Sequence, residues 1–365
     1  MNNVYEELKA LTSISAISGY EDNFIRDLKE RLKDKHAELY VDRIGNLTAT
    51  FKGVNDPNTS ILFLAHMDEL GLIVKQIDDD GFLRVERVGG IPEKTLLGSF
   101  VDVHTLDYKK SYTGFFGAYS HHLTPPEKKM AIPDIKNLYI DIGCESSQEV
   151  LDLGINIGSM ITYTPTYQQL GKNRLTAKAL DNRMGVYVLL CMAEYFEKNP
   201  PKATIHLCFS VQEEFNVRGC LPVFERLLPD ASVCIDVTPA YDTPELRGAG
   251  KIDLGKGPAI LYFNFHGRGT LGGLIPNPKL TQFIADTAKN LGISCQHDVV
   301  IGVITDDAFT QLTGKEGVPT AHISVPCRYT HAPVETIDLR DLEQAIELSC
   351  KVAAGFDGNL DLSRG

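Results

Sequence analysis

The sequence has no apolar run that approaches the roughly 20 residues needed to cross a bilayer, so it predicts no transmembrane helix. The first residues, from Met1 to Glu7, contain neither a basic region nor an apolar core, so they do not predict a secretory signal. The net charge of −12 opposes contact with phosphate backbones and anionic membranes. We therefore expect a cytoplasmic protein with neither nucleic acid nor a membrane as a partner.

The eight cysteines form no C-x-x-C pair, which argues against a zinc ribbon. Several lie in apolar patterns, as Cys208 does in the run from Ile205 to Phe209. Buried, reduced thiols explain this distribution better than a disulfide framework does. This expectation also favours the cytoplasm.

Length and pattern predict two domains. The 365 residues exceed one average domain, and 43% hydrophobic with 23% charged residues is typical of a globular chain with a sizeable core. Strand–helix alternation in 1–71 and 165–365 predicts one discontinuous α/β domain with a mostly parallel sheet. In 72–164 helical periodicity is nearly absent, and short alternating runs between turn signals predict an inserted β-rich module.

Local signals predict several element boundaries. Ser18 to Glu21 matches a capping box and precedes apolar residues at helical spacing, which predicts a helix there. Asn277 and Pro278 provide an N-cap and a first-turn proline for a helix that runs to Leu291. We also expect a helix from Asn216 to Leu228.

Five short segments each carry a residue type that binds metal ions. The segments are 65–69, 179–183, 212–214, 234–236 and 329–331, and their candidate ligands are His66, Asp181, Glu214, Asp236 and His331. Most of them follow predicted strands, and the carboxyl ends of parallel strands meet at one edge of an open sheet. Oxygen and imidazole ligands, with one carboxylate that bridges, are what two divalent ions require. The set predicts a two-metal site.

The charges of this set predict hydrolysis. The four positive charges of two ions exceed the three negative charges of Asp181, Glu214 and Asp236 by one, so the site should deprotonate a bound water near neutral pH. Glu213 is then free to act as the general base. Asp68 lies two residues from His66, and we expect its carboxylate to accept a hydrogen bond from the imidazole and fix the tautomer.

Each signal is weak when taken alone. An aspartate after a strand is usually a helix N-cap, and a lone histidine is usually a hydrogen-bonded core residue. The joint occurrence of all five ligands is what supports a metal site. The segment 267–272 spells G-x-G-x-x-G, but prolines at Pro276 and Pro278 follow it before any helix, which argues against nucleotide binding.

With these motifs the chain resembles the tetrahedral (TET-type) dinuclear metallo-aminopeptidases, which include glutamyl and deblocking aminopeptidases. The resemblance rests on Ala-His-Met-Asp-Glu at 65–69, Ala-Leu-Asp-Asn-Arg at 179–183, Gln-Glu-Glu at 212–214, Ile-Asp-Val-Thr at 235–238, Thr-Asp-Asp-Ala at 305–308 and Arg-Tyr-Thr-His-Ala-Pro-Val-Glu at 328–335. It implies a zinc-exopeptidase-like α/β/α sandwich, here 1–71 with 165–365. It also implies that an inserted small β-barrel or PDZ-like domain, here 72–164, would mediate assembly.

The resemblance also implies a site and an assembly. Two divalent metal ions, zinc or else cobalt or manganese, would be held one by His66 and Asp236 and the other by Glu214 and His331, with Asp181 bridging. Glu213 would be the base, and twelve subunits would form a hollow tetrahedron that admits short peptides. Phe215 and Asn216 stand where the family usually has Val-Gly, and Ala332 replaces a common serine or threonine, so the family's side-chain preference does not carry over directly.

The leading hypothesis is a metal-dependent aminopeptidase, broad or acidic-preferring, that removes N-terminal residues from short peptides through a two-metal-activated hydroxide. An alternative is a two-metal N-acyl deacylase or carboxypeptidase-type amidohydrolase, since related sites cleave those bonds. Refusal of N-acetylated substrates would separate the aminopeptidase from the deacylase. A non-catalytic peptide- or sugar-binding scaffold would not need both five ligands and the spare Glu213.

Overall fold

The computed structural model describes residues 2–267 and 272–364, and residues 268–271 of the G-x-G-x-x-G segment lie outside the described residues. The helices are α1 (Asn2–Ser13), α2 (Asp22–Leu32), α3 (Ser147–Asp152), α4 (Leu180–Lys198), α5 (Leu221–Leu227), α6 (Pro278–Leu291), α7 (Asp307–Thr310) and α8 (Leu339–Gly355). The strands are β1 (Glu38–Val41), β2 (Leu47–Phe51), β3 (Asp56–His66), β4 (Gly71–Ile77), β5 (Leu83–Val88), β6 (Phe100–His104), β7 (Ser111–Phe116), β8 (Ile140–Asp141), β9 (Met160–Tyr163), β10 (Tyr167–Leu170), β11 (Arg174–Ala177), β12 (Ala203–Ser210), β13 (Ala231–Pro239), β14 (Ala259–Phe265), β15 (Gly273–Leu274), β16 (Gln296–Ile301), β17 (Thr320–Arg328) and β18 (Glu335–Asp338).

Twelve strands form one large mixed sheet. Its main path runs β1-β2-β12-β3-β13-β17-β18-β11-β10, and β14 joins it through β17 and carries β15 and β16. The central strands β12, β3, β13 and β17 pair in parallel, while β1, β2, β18, β11 and β10 pair antiparallel. The prediction of a mostly parallel sheet was therefore wrong for the flanks, because hairpins extend the sheet at both sides of its parallel centre.

Alternate residues of β3 bury on opposite faces of this sheet. Ile61 and Phe63 join a core with α1, α2, α4, α6 and α8, whereas Leu62 and Leu64 pack with Phe224 of α5. A strand buried on both faces must be apolar at every position, which explains the continuous run at its end. The layers are those of an α/β/α sandwich, as predicted.

The strands from Gly71 to Tyr163 form a separate closed barrel in the order β4-β5-β8-β7-β6-β9. The barrel has its own core, which includes Leu72, Val85 and Phe116. Each strand pair is antiparallel, and each strand pairs with a neighbour on both sides, although the short β8 pairs with β5 only at Ile140 and Leu83. The short alternating runs of this region thus correspond to the strands of a barrel with its own core.

Two local predictions were wrong in detail. The helix after residue 21 forms, but Ser18 does not cap it, because the helix begins only at Asp22; the Ser18 hydroxyl instead donates to the Asp68 carboxylate at 2.6 Å. The helix predicted from Asn216 is only α5, because Asn216 and Val217 adopt positive φ angles of 66° and 51°. By contrast, the Asn277 side chain caps α6 by accepting from two backbone N–H groups.

All eight cysteines are free, and five of them are buried. Within 2–267 and 272–364, none of the helices combines the length and the apolar character needed to cross a membrane.

Candidate metal centre

Three neighbouring strands deliver most of the predicted ligands to one edge of the large sheet. His66 is the last residue of β3 and pairs with Ser210, the last residue of β12, so Glu213 and Glu214 follow at the same edge. Asp236 lies within β13 rather than after it, on the other side of β3. Asp181 stands at the start of α4, and His331 follows β17.

Asp181 stands between the two histidines. Its Oδ1 lies 3.1 Å from His66 Nε2, and its Oδ2 lies 3.8 Å from His331 Nε2. The oxygen atoms of one carboxylate therefore face two different imidazoles, which is the arrangement that a bridging ligand needs.

The other carboxylates divide between the two histidines. Asp236 Oδ1 and Glu213 Oε2 each lie 3.9 Å from His66 Nε2, and Glu214 Oε2 lies 3.8 Å from His331 Nε2. Ligand atoms of His66, Glu213 and Asp236 lie within 4.8 Å of one another, as do those of His66, Asp181 and Glu214. These oxygen and imidazole donors at this spacing fit divalent metal ions.

Asp68 positions the turn that carries the glutamate pair. Its Oδ1 accepts from the Glu213 N–H and its Oδ2 from the Glu214 N–H, both at 3.1 Å. The nearer acceptor for His66 Nδ1 is the main-chain carbonyl of Asp68 at 3.1 Å, with the Asp68 carboxylate at 3.5 Å. The main-chain carbonyl and the carboxylate of Asp68 thus both favour a proton on His66 Nδ1, and Nε2 faces the carboxylates of the candidate site.

Two contacts of this site have no counterpart in the sequence analysis. The Glu335 carboxylate accepts from the backbone N–H of Asp181 and from that of His331, both at 2.9 Å. The Gly90 carbonyl, which follows β5 of the barrel, accepts from His331 Nδ1 at 3.0 Å. Glu335 is the last residue of the 328–335 motif, so the sequence did contain a signal that it belongs to the site. Nothing in the sequence marks Gly90.

A further buried group lies beside the site. The Asp307 Oδ2 atom is 2.5 Å from His322 Nδ1, and Thr305 donates to the other oxygen of Asp307 at 2.7 Å. Cys234 completes a group of three potential ligand types with them. Nothing in the sequence marks the pairing of Asp307 with His322, because the two residues are 15 positions apart and meet only through packing.

Buried negative charge dominates the electrostatics. Burial, reinforced by neighbouring carboxylates, raises the pKa of Glu213, Glu214, Asp236 and Glu335 well above the usual value. Burial alone would lower the pKa of His66, but Glu213 and Asp181 raise it well above its ordinary value. A bound cation would relieve this repulsion, so the electrostatics also fit a metal centre.

Buried ion pairs fix the relative positions of β3 and α4. Glu69 Oε2 lies 2.5 Å from Lys178 Nζ, and Glu69 Oε1 lies 3.4 Å from Arg183 Nη2. All three side chains are buried, and the Arg183 guanidinium rests on the ring of Phe24 at 3.9 Å. Since Glu69 follows His66 by three residues and Arg183 follows Asp181 by two, this network supports the geometry of the ligands.

Comparison with known proteins gives full-length matches. A protein-family model described as M42 glutamyl aminopeptidase matches residues 45–348. The lysyl aminopeptidase of Pyrococcus furiosus is 33% identical over 347 residues, which cover 94% of this chain and 95% of that protein. The solved structure of aminopeptidase APDkam598 from Desulfurococcus kamchatkensis has a TM-score of 0.90 and 38% identity, covering 98% of this chain and 96% of its own.

A third match concerns assembly as well as fold. The TET1 peptidase of Pyrococcus horikoshii has a TM-score of 0.82 and 31% identity, with 96% of this chain and 99% of that chain covered. It is described as able to assemble into a tetrahedron or a large octahedral shell. The resemblance to TET-type aminopeptidases is confirmed. The chain is a peptide hydrolase and belongs to the M42 glutamyl aminopeptidase family.

Proposed function

We propose that this chain is a metal-dependent aminopeptidase that removes N-terminal residues from short peptides, with two divalent ions and Glu213 as the general base. The observation that carries the proposal is the position of Asp181, whose two oxygens face His66 Nε2 at 3.1 Å and His331 Nε2 at 3.8 Å. One carboxylate placed in this way suits two ions better than one.

The residues would divide between the ions as follows: His66 and Asp236 hold one, Glu214 and His331 hold the other, and Asp181 touches both. Zinc, cobalt and manganese all accept such oxygen and nitrogen donors. When bound, the ions would acidify a water molecule and polarise the peptide carbonyl.

Glu213 would carry the proton. It accepts a proton from the attacking water and delivers it to the leaving amide nitrogen as the C–N bond breaks. Its burial and the nearby Glu214 raise its pKa well above that of an ordinary glutamate. Bound cations would lower this pKa again, so that the Glu213 carboxylate can take up the water proton and then release it. Asp68, through the two backbone N–H groups it accepts from, keeps Glu213 and Glu214 in different orientations.

The charge of the site supports a substrate with a free amine. Asp68, Glu213 and Glu335 are buried near the proposed ligands, so with two cations bound their ionised carboxylates would add negative charge beyond that of the ligands themselves. An α-ammonium group is attracted to such a site, whereas a C-terminal carboxylate requires a cation. Arg87, which lines the cavity, is already paired with Glu93 at 2.9 Å. This favours an aminopeptidase over a carboxypeptidase or a deacylase.

For the organisation of the chain we propose that 1–71 with 165–365 form the catalytic domain and that 72–164 form an assembly domain of a homo-oligomer, a dodecamer. Full-length likeness to the TET1 peptidase supports this, and so do Phe100 and Phe115, which expose 63% and 41% of their surface on the barrel. The free cysteines support the cytoplasm as its location. Light scattering that shows a monomer at micromolar concentration would contradict the dodecamer and leave the chemistry untouched.

The function is tested by removing and restoring the metal. The protein is stripped with a chelator, verified metal-free, reloaded with zinc, cobalt or manganese, and assayed on a peptide with a free amine and on its N-acetylated twin. We expect activity to be lost on stripping, regained on reloading, and confined to the free amine, while circular dichroism shows a largely intact fold. Full activity of verified metal-free protein, or equal cleavage of both peptides, would contradict the proposal.

A further inference from the structure

The cavity at the metal centre has an apolar part beside its acidic part. Its volume is about 640 Å³, and His66, Asp181 and the glutamate pair line one portion. The apolar lining comes from the turn after β12, from β13, from the segment between β16 and α7, and from α7 itself; its members are Phe215, Val237, Pro239, Val303, Ile304 and Phe309. Residues distant in sequence thus build one apolar surface next to the reacting centre.

Much of this surface is open to the cavity. Phe215 exposes 43% of its surface, and Val303, Ile304 and Phe309 are half-buried rather than enclosed in the core. When an apolar substrate side chain covers these residues, both contacting surfaces are removed from water, and this burial is favourable for a side chain the size of leucine or phenylalanine. The surface therefore favours an apolar substrate group over a polar one.

Charged residues of the lining are already neutralised by neighbours. Glu86 lies 3.0 Å from Lys75, and Arg87 lies 2.9 Å from Glu93 and donates to the Ile91 carbonyl at 3.1 Å. Among the lining residues that the structure describes, none outside the metal cluster is a carboxylate, lysine or arginine without such a partner. Apart from the exposed imidazole of His266, the described lining outside the metal cluster therefore offers no unpaired charged group. A charged substrate side chain would lose its hydration here with little gain from ion pairing, which is unfavourable.

One cation lies just outside this lining. The Arg218 guanidinium stacks on the ring of Phe215 at 5.5 Å and is exposed. If the enzyme bound an acidic substrate side chain rather than an apolar one, the Arg218 guanidinium would be its partner. The role of Arg218 is therefore tested with a variant of its own.

We propose that the preferred substrates carry a medium or large apolar residue at the N-terminus, of the leucine, methionine or phenylalanine class, and that this side chain packs on Phe215, Ile304 and Phe309. The proposal rests on the aminopeptidase function proposed above and names its substrate class. It sets this chain apart from the glutamyl description of the family and from the lysyl name of the Pyrococcus furiosus relative.

The test uses metal-loaded protein and tripeptides X-Ala-Ala in which X is leucine, phenylalanine, alanine, glutamate or lysine. We expect kcat/KM for leucine and phenylalanine to exceed that for alanine by about 10- to 100-fold, and glutamate and lysine to fall below alanine. If glutamate or lysine is removed faster than leucine, the apolar preference is overturned and the aminopeptidase function stands. If no N-terminal residue is released from any of the five, the function fails and the preference fails with it.

Variants locate the contact. Phe215→Lys changes an exposed residue, so the fold should persist, and Ile304→Lys provides a second position; each should raise the glutamate-to-leucine ratio of kcat/KM at least about tenfold. Val54→Lys, at a site 65% exposed and outside the lining, is the matched control and should leave the ratio unchanged. Wild-type ratios in both cavity variants would overturn the assignment. The assignment is also overturned if the wild-type enzyme prefers glutamate and Arg218→Ala selectively loses glutamate cleavage.

Discussion

The Nδ1 atom of His331 lies 3.0 Å from the carbonyl oxygen of Gly90, so a residue that follows a barrel strand positions a side chain of the proposed metal centre. A carbonyl oxygen only accepts hydrogen bonds, so the proton of the imidazole is on Nδ1 and the lone pair of Nε2 faces Asp181 and Glu214. This contact makes the barrel part of the site's geometry, in addition to the assembly role proposed for it.

Gly90→Ala should disturb this contact. A Cβ atom at position 90 would lie 3.0 Å from His331 Nδ1 and 3.2 Å from its Cε1, so the imidazole would have to move. We expect metal affinity or kcat/KM to fall about 10- to 100-fold, the usual effect of losing a partner of a metal-binding histidine. Gly355→Ala, where the new Cβ atom meets only an ordinary 3.4 Å contact with Phe283, is the control. Equal effects of the two substitutions on activity would contradict the role of Gly90.

The two adjacent glutamates should respond differently to substitution. Glu213→Gln should lower kcat about 10²- to 10⁴-fold with metal content near that of the wild type, because it removes a proton carrier. Glu214→Gln should weaken or remove one ion, because a neutral amide is a poor ligand. Metal analysis and turnover are measured for both variants. If Glu213→Gln loses metal while Glu214→Gln keeps both ions, the roles are reversed.

Glu69→Gln should destabilise the fold strongly. Glu69 is the carboxylate that faces both Lys178 and Arg183, so its removal leaves two buried cations without compensation. Breaking a buried pair in this way costs about 3–5 kcal/mol of the free energy of unfolding. Urea denaturation measures the change, and Glu30→Gln, which breaks an exposed pair with Lys33, should change the free energy of unfolding far less. A loss below about 1 kcal/mol for Glu69→Gln would show that the cations find other partners.

His206 should make the fold sensitive to acid. Burial, together with the charge of Arg226, lowers the pKa of His206 to about 4. At pH 7 the imidazole is neutral in both states, but as the pH falls below about 6.5 the unfolded chain binds a proton that the folded chain does not. Stability is therefore lost between about pH 6.5 and 4, by about 2 kcal/mol at pH 5.

The His206→Asn variant lacks this titration and keeps an acceptor for Thr50, whose hydroxyl lies 2.9 Å from His206 Nδ1. Unfolding in urea at pH 7, 6 and 5 gives the difference in free energy of unfolding between the wild type and the variant. We expect the free energy of unfolding of the wild type to fall relative to that of the variant as the pH falls. A difference that stays constant across the three values would show that His206 is not held neutral.

The sequence by itself determined several elements of the fold and the residues that cluster at the site. The apolar run at Ile61 to Ala65 needs burial on both faces, the cap at Asn277 starts α6, and the switch to alternating short runs after Leu72 separates the barrel from the sandwich. Ligand types in five segments also predicted which residues cluster, because strand ends at one edge of a parallel sheet are close whatever the rest of the chain does.

Only the tertiary structure decided what surrounds those residues. Ser18 satisfies the local pattern of a cap, yet α2 begins only at Asp22, and the Ser18 hydroxyl donates to Asp68, 50 residues away, because a buried carboxylate needs hydrogen-bond donors. Glu335 and Gly90 enter the site because β18 and the barrel pack beside it, and such long-range contacts leave no local periodicity. The apolar cavity wall arises in the same way, from side chains of separate elements that no spacing in the sequence connects.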